Sequence, residues 1–211
     1  MACGNNSAAT QNGRKRLEGN MELQHINVKL YLQEPRAVKL DALVPVFHGW
    51  IQNKVCEELL IDVADYRHVH AGPGVVVIGH QADYSVDNTD NRLGIRYNRK
   101  AALEGSNRDR FSQALRAALQ ACQRLETDEK LKGVLRFDRQ NMRLFVNDRM
   151  LAPSGGHAAG SVRAELRDFF ADVCADPDIE MRFDTNPRSL LGVDVTTARP
   201  VDLDRMLERL R

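Results

Sequence analysis

The chain contains the stretch NVKLYLQE at residues 27–34, and a stretch of similar residue types, NMRLFVND, at residues 141–148. In both, apolar side chains alternate with polar or aromatic ones, which is typical of a β-strand with one buried face. Each stretch is followed by an amphipathic helical pattern, two strand-like runs and a second helical pattern. An internal repeat constrains architecture before any motif does. The sequence therefore predicts one β-α-β-β-α unit used twice, although shared strand chemistry alone could produce the similarity.

This repeat predicts an α+β fold, similar to an α/β sandwich, with mostly antiparallel or mixed sheets covered by helices. Residues 1–24 are rich in Asn, Ser, Ala, Gly and Gln, and we predict that they form a disordered tail. Residues 25–130 are expected to form the first unit and residues 131–211 the second. The two units could also build one continuous domain.

Several elements inside the units can be predicted from local patterns. Residues 59–65 and 75–83 are predicted strands, and the Ala-Gly-Pro-Gly sequence at residues 71–74 is a turn signal between them. Ser106 and Asp109 form a capping-box pattern at the start of a long amphipathic helix. These patterns predict a hairpin in the first unit, followed by a helix.

Composition favours a water-soluble, globular protein. The 211 residues carry a formal net charge of +1, with 43% hydrophobic and 28% charged residues, and these values are ordinary for folded domains. The longest apolar run is too short to cross a bilayer, and no apolar region of a secretion signal is present. We therefore expect a cytoplasmic protein without a membrane partner. The four cysteines show no metal-binding or disulfide spacing.

The densest group of potential catalytic side chains lies in the predicted hairpin, within residues 59–87. If the hairpin closes about its Gly-Pro-Gly turn, Asp65 lies opposite His80, and Asp62 lies opposite Asp83. Cross-strand neighbours have Cβ atoms about 4.5–5.5 Å apart, so an Asp–His pair could act as a general base. These four residues are the candidate catalytic group.

The same hairpin could bind a divalent metal, because carboxylates and imidazoles are common metal ligands. The candidate ligands are His68, His70, His80 and Asp65. No metal-binding or catalytic sequence motif surrounds them, and such side chains also close turns and satisfy backbone donors. The pairing depends on the register, since a slip of one residue moves each side chain to the other face.

A second group of candidates is basic and lies within residues 92–116. Its members are Arg96, Arg99, Lys100, Arg108 and Arg110. A local excess of positive charge can hold phosphate groups, but it is also typical of a solvated helix face.

Three functions are consistent with these patterns. The first is a small-molecule-binding or protein-interaction module, with an unknown protein partner or a second copy of the chain. The alternative is a metal-assisted or acid–base hydrolase that uses the Asp/His group. Weak binding of phosphate or nucleic acid is third, because the near-neutral net charge disfavours it.

Overall fold

The computed structural model describes residues 21–131, 133–148, 157–186 and 189–211. Residues 1–20 of the predicted tail lie outside this part of the chain. Residues 21–24 are packed against the folded body instead of belonging to a tail. Leu23 is fully buried, and its backbone N–H donates to Asn107 Oδ1 at 2.8 Å.

The described residues form eight strands and four α-helices. Their bounds are β1 (Ile26–Leu32), α1 (Leu43–Asn53), β2 (Leu60–Tyr66), β3 (Gly74–Gly79), β4 (Ala82–Asp87), β5 (Gly94–Arg99), α2 (Asn107–Thr127), β6 (Phe137–Val146), α3 (His157–Cys174), β7 (Glu180–Phe183), β8 (Leu191–Thr196) and α4 (Leu203–Arg209). None of these helices is both long and apolar enough to cross a membrane.

All eight strands belong to one antiparallel sheet in the order β2-β3-β4-β5-β1-β6-β8-β7. The predicted α+β class is confirmed. The first predicted unit contains four strands between its helices, because the predicted strand at residues 75–83 is broken by a turn into β3 and β4, and β5 follows. The tandem repeat remains a prediction. The two similar stretches form β1 and β6, which pair side by side at the centre of the sheet.

All four helices cover the same face of the sheet. Trp50 of α1 contacts Tyr84 of β4 edge-on, with ring centroids 5.8 Å apart. The α2 helix packs across β1 and β5. In α3, the guanidinium of Arg163 lies over the ring of Phe183 in β7 at 5.3 Å, and α4 packs against α2 and α3. These contacts leave the opposite face of the sheet, which we call the open face, without a covering helix among the described residues.

The open face carries polar and charged side chains. Successive side chains of a strand point to opposite faces, so Val28 and Leu30 face the helices while Asn27, Lys29 and Tyr31 lie on the open face. The strand registers extend this polar character across the sheet, in a row formed by Ser85, Arg96, Lys29, Arg143, Asp194 and Arg182. A row of this kind brings together residues from six strands.

Candidate functional site

The register predicted for the hairpin is wrong, because β2 and β3 are joined by a longer turn than the sequence indicated. The turn spans residues 67–73, and Asp65 lies opposite Val75. The turn begins before the Gly-Pro-Gly signal, since the Val69 N–H donates to the Tyr66 carbonyl at 2.9 Å. The pairing is therefore displaced from the predicted one by several residues.

The four candidate catalytic residues do not converge. Asp62 lies opposite Ile78 on the edge strand β2, whereas Asp83 lies two strands away on β4. His80 is exposed in the turn between β3 and β4, where its N–H donates to the Leu59 carbonyl at 2.8 Å. The predicted Asp65–His80 and Asp62–Asp83 pairs are therefore absent.

Two of these carboxylates have cationic partners. The side chain of Arg67 donates to Asp65 at distances of 2.6–2.9 Å, and these hydrogen bonds lower the pKa of Asp65 to about 2. Asp83 accepts from the Gly79 N–H at 3.1 Å and pairs with Lys100 at 2.7 Å. Asp65 thus stabilises the turn after β2, and Asp83 forms an ion pair with Lys100.

The candidate metal ligands also lie apart. His68 and His70 are exposed in the turn at residues 67–73, next to Asp65, whereas His80 lies at the other end of β3. A strand of this length spans about 20 Å. Within the described parts of the chain, no group of three or more His, Cys, Asp or Glu side chains is arranged to hold a metal ion.

The five basic candidates do not form one surface. Arg96 lies on the open face, whereas Arg108 and Arg110 lie on α2, on the other side of the sheet. Each candidate has an acceptor within the protein: Asp87 and Asn27 for Arg96, the Ala101 carbonyl for Arg99, Asp83 for Lys100, Asp172 for Arg108, and Glu22 for Arg110. Three of them, Lys100, Arg108 and Arg110, each pair with a carboxylate, while Arg96 shares Asp87 with Lys29.

The centre of the open face holds a buried ion network around Asp87. The Lys29 ammonium pairs with Asp87 and donates to the Thr89 carbonyl at 3.0 Å. Arg96 Nη1 lies 3.5 Å from the second carboxylate oxygen of Asp87. The side chains of Lys29 and Asp87 are 5% and 0% exposed. Burial lowers the pKa of Lys29, and the Asp87 charge opposes this effect. Buried charges require partners, so this network maintains the sheet.

Next to this network, two guanidinium groups lie over the ring of Phe145. The Cζ atoms of Arg96 and Arg143 are 5.0 and 6.0 Å from the ring centroid. Arg143 also donates to Asp184 at 2.5 Å and to Asp194 at 2.7 Å. Burial disfavours the charged form of Arg143, but these two carboxylates raise its pKa above the ordinary value. The aromatic ring is therefore covered and is unable to stack on a nucleic-acid base.

Tyr31 connects the ion network to the other half of the sheet. Its hydroxyl donates to Asp194 Oδ1 at 3.4 Å, and the guanidinium of Arg92 stacks on its ring at 3.5 Å from the centroid. Burial raises the pKa of Tyr31 to about 12, so the phenol remains a hydrogen-bond donor at neutral pH. Among the described residues, Arg92 has no carboxylate partner.

A cavity of about 230 Å³ opens beside Tyr31 on the open face. Its walls contain two guanidinium groups, two carboxylates and two hydroxyls, from Arg92, Arg182, Glu180, Asp194, Tyr31 and Thr196. Pockets for drug-sized ligands measure about 300–1,000 Å³, so this one suits a smaller molecule. Of these residues, only Arg92 lies in a group that the sequence marked as a candidate, the basic stretch 92–116. The others carry no sequence signal of a site.

A larger groove of about 790 Å³ lies between α2, the start of β6 and α4. Many of its polar side chains bond to one another. Arg139 pairs with Glu126 at 2.5 Å, and Gln123 donates to Asp204 at 2.5 Å. In the cavity of the open face, Arg182 pairs with Glu180 at 3.3 Å and Asp194 pairs with Arg143 at 2.7 Å. The cavity differs from the groove in Arg92, which has no carboxylate partner among the described residues.

A cluster of polar side chains around Glu58 lies inside the protein, on the helix-covered side of the sheet. The carboxylate of Glu58 is buried and accepts from Tyr84 Oη at 2.7 Å, from Tyr97 Oη at 2.8 Å and from Gln113 Nε2 at 3.2 Å. Burial raises the pKa of both tyrosines well above the ordinary value. The cluster fixes the loop before β2 to the sheet and to α2.

Comparisons of the chain with protein families, with curated proteins and with solved structures found no match. The fold and site define an α+β protein with one helix-covered face and one polar face that bears a small cavity.

Proposed function

We propose that the protein binds a small zwitterionic molecule, such as an α-amino acid, in the cavity of the open face. The observation that carries this proposal is the convergence of cationic, anionic and hydroxyl groups on one cavity. The charges of Arg92 and Arg182 balance those of Glu180 and Asp194. A lining without net charge favours a ligand with both signs over a multiply charged phosphate.

The groups in the cavity suit the two ends of an amino acid. Arg92 presents donors to a carboxylate while its plane rests on Tyr31, and guanidinium groups bind carboxylates with two parallel hydrogen bonds. Asp194 is only partly covered, with a side chain 37% exposed, and it accepts hydrogen bonds from an ammonium group. Both residues are fixed by cross-strand contacts, which supports recognition by a preformed site.

The location of the cavity also supports this function. Tyr31 belongs to the first predicted unit, and Asp194 belongs to the second. If the predicted units are real, the cavity lies between them, where a binding module made from two halves would hold its ligand.

Isothermal titration calorimetry with the set of free amino acids tests the proposal. We expect amino acids with one chemical type of side chain to bind best. The variants Asp194→Asn and Arg92→Gln should each weaken binding about tenfold or more. Arg36→Gln, which changes an exposed arginine outside the cavity, is the matched control. Thermal unfolding of each variant separates lost binding from lost folding. The proposal is overturned if no amino acid binds, or if both cavity variants bind as tightly as the unchanged protein.

A further inference from the structure

The edge of the sheet formed by β2 carries most of the exposed large apolar side chains. Leu59 is 60% exposed, Ile61 57%, Tyr66 42% and Val69 42%. In the described part of the chain, the other large apolar side chain with comparable exposure is Val134. We call residues 59–69 the β2 edge. Concentrated apolar exposure on a folded protein indicates an interaction surface.

The outer side of β2 has no strand partner in the described part of the chain. β2 pairs with β3 alone. The Val63 N–H donates to the carboxylate of its neighbour Asp62 at 2.8 Å, an exposed contact that a pairing strand would replace. Proline and lysine, which commonly protect edge strands, do not occur in residues 59–66. The one irregularity is a bulge near Leu60.

We infer that the β2 edge pairs antiparallel with the β2 edge of a second copy of this chain. The first part of the edge carries the acidic side chains Asp62 and Asp65, and the last part carries Arg67 and the following histidines. An antiparallel pair related by a two-fold axis places the acidic part of each copy beside the basic part of the other. Asp65 and Arg67 are already paired within each copy, so the complementarity rests on Asp62 and the exposed histidines. It favours a second copy over a partner of one charge sign.

The size of the edge determines how strong this dimer is. A stable interface buries about 800 Å² per partner and uses about 20–30 residues on each side. The β2 edge has eleven residues, so pairing at this edge supplies about half of that area. The dimer is therefore reversible, with a dissociation constant in the micromolar range or above, and does not depend on the ligand of the cavity.

Sedimentation velocity of the full chain over a range of concentrations tests this inference. We expect a monomer–dimer equilibrium, and Ile61→Lys should raise the dimer dissociation constant about tenfold or more by placing two cations at the interface. Val134→Lys, which changes an exposed valine elsewhere, should leave it unchanged. Leu59→Lys replaces the first variant if circular dichroism shows that Ile61→Lys is unfolded.

Hydrogen exchange provides a second measurement. Amide protons of residues 61–66 should exchange more slowly as the protein concentration rises, while those of β7, at the other edge, should not change. The inference is overturned if the chain remains monomeric up to near-millimolar concentration. This holds even if the β2 edge binds a foreign peptide. A dimer that is insensitive to both edge variants also overturns it.

Discussion

Lys29 of β1 and Arg143 of β6 lie directly opposite each other at the centre of the sheet, as two cations on adjacent strands. Like charges in this position destabilise a sheet unless they have partners. Asp87 neutralises Lys29 from one side, while Asp184 and Asp194 neutralise Arg143 from the other. The carboxylates of the open face are therefore needed for the central strand pair itself.

This arrangement predicts a large effect of Asp87→Asn. The substitution leaves the buried Lys29 without a charged partner, and breaking a buried pair in this way costs about 3–5 kcal/mol. Urea denaturation measures the free energy of unfolding, with Asp178→Asn, an exposed carboxylate away from the network, as the control. The double variant Lys29→Met with Asp87→Leu should recover much of the loss, because both buried charges are then removed. A loss as small as that of the control would show that the network does not stabilise the sheet.

Gly192 lies on β8 beneath the ion pairs of Arg143. A Cβ atom at this position would lie 2.5 Å from Asp184 Oδ2 and 3.0 Å from Arg143 Nη2. We expect Gly192→Ala to displace the Arg143–Asp184 pair and to lower the free energy of unfolding by about 1–3 kcal/mol. Gly160→Ala is the matched control, because a Cβ there meets no atom within 4 Å and alanine favours the helix. Equal stability of the two variants would contradict the prediction.

The buried carboxylate of Glu58 predicts that the hydroxyls of its tyrosine partners contribute to stability in addition to their buried rings. Tyr84→Phe and Tyr97→Phe each remove one donor and leave Glu58 less satisfied, which costs about 1–3 kcal/mol. Tyr66→Phe, on the exposed edge, should have little effect. Chemical denaturation of the three variants checks this order, and similar values for all three would contradict a role for the cluster.

The Asp65–Arg67 pair predicts a dependence on pH. Since hydrogen bonds from Arg67 lower the pKa of Asp65 from 3.8 to about 2, the stabilising effect is present above pH about 4 and is lost as the pH falls toward 2. Arg67→Gln should raise the pKa of Asp65 toward its ordinary value. Carbon-detected NMR titration of the carboxyl group measures this pKa. An unchanged value in the variant would show that Arg67 is not the cause.

Local sequence patterns predicted the features of the fold that depend on residues close together in the chain. Alternation predicted the strand β1, but its second face is not wetter as predicted, because all seven residues of β1 are buried. The capping box of α2 also has the predicted contacts, with the Ser106 N–H donating to Asp109 at 2.7 Å. The hairpin register was predicted wrongly, because the Ala-Gly-Pro-Gly signal indicated a turn at residues 71–74, whereas the strand pairing ends at Tyr66 and Gly74 and the turn spans residues 67–73.

The residues of the candidate cavity could not be predicted from local sequence patterns. Tyr31 and Asp194 are separated by most of the chain, and their contact exists because β1, β6 and β8 are neighbours in the sheet. No local pattern encodes such a neighbourhood. The sequence also did not show that Arg92 would contact the ring of Tyr31, or that Arg96 would lie beside the buried carboxylate of Asp87.

The central position of the β1–β6 pair has a consequence for biosynthesis. The two strands are separated by more than a hundred residues, so one side of β1 has no partner until β6 has left the ribosome. Long-range strand pairing of this kind is slow and exposes unpaired strands to aggregation. We therefore expect the first half of the chain to depend on chaperones or on rapid completion of synthesis, and fragments that end before β6 to be insoluble.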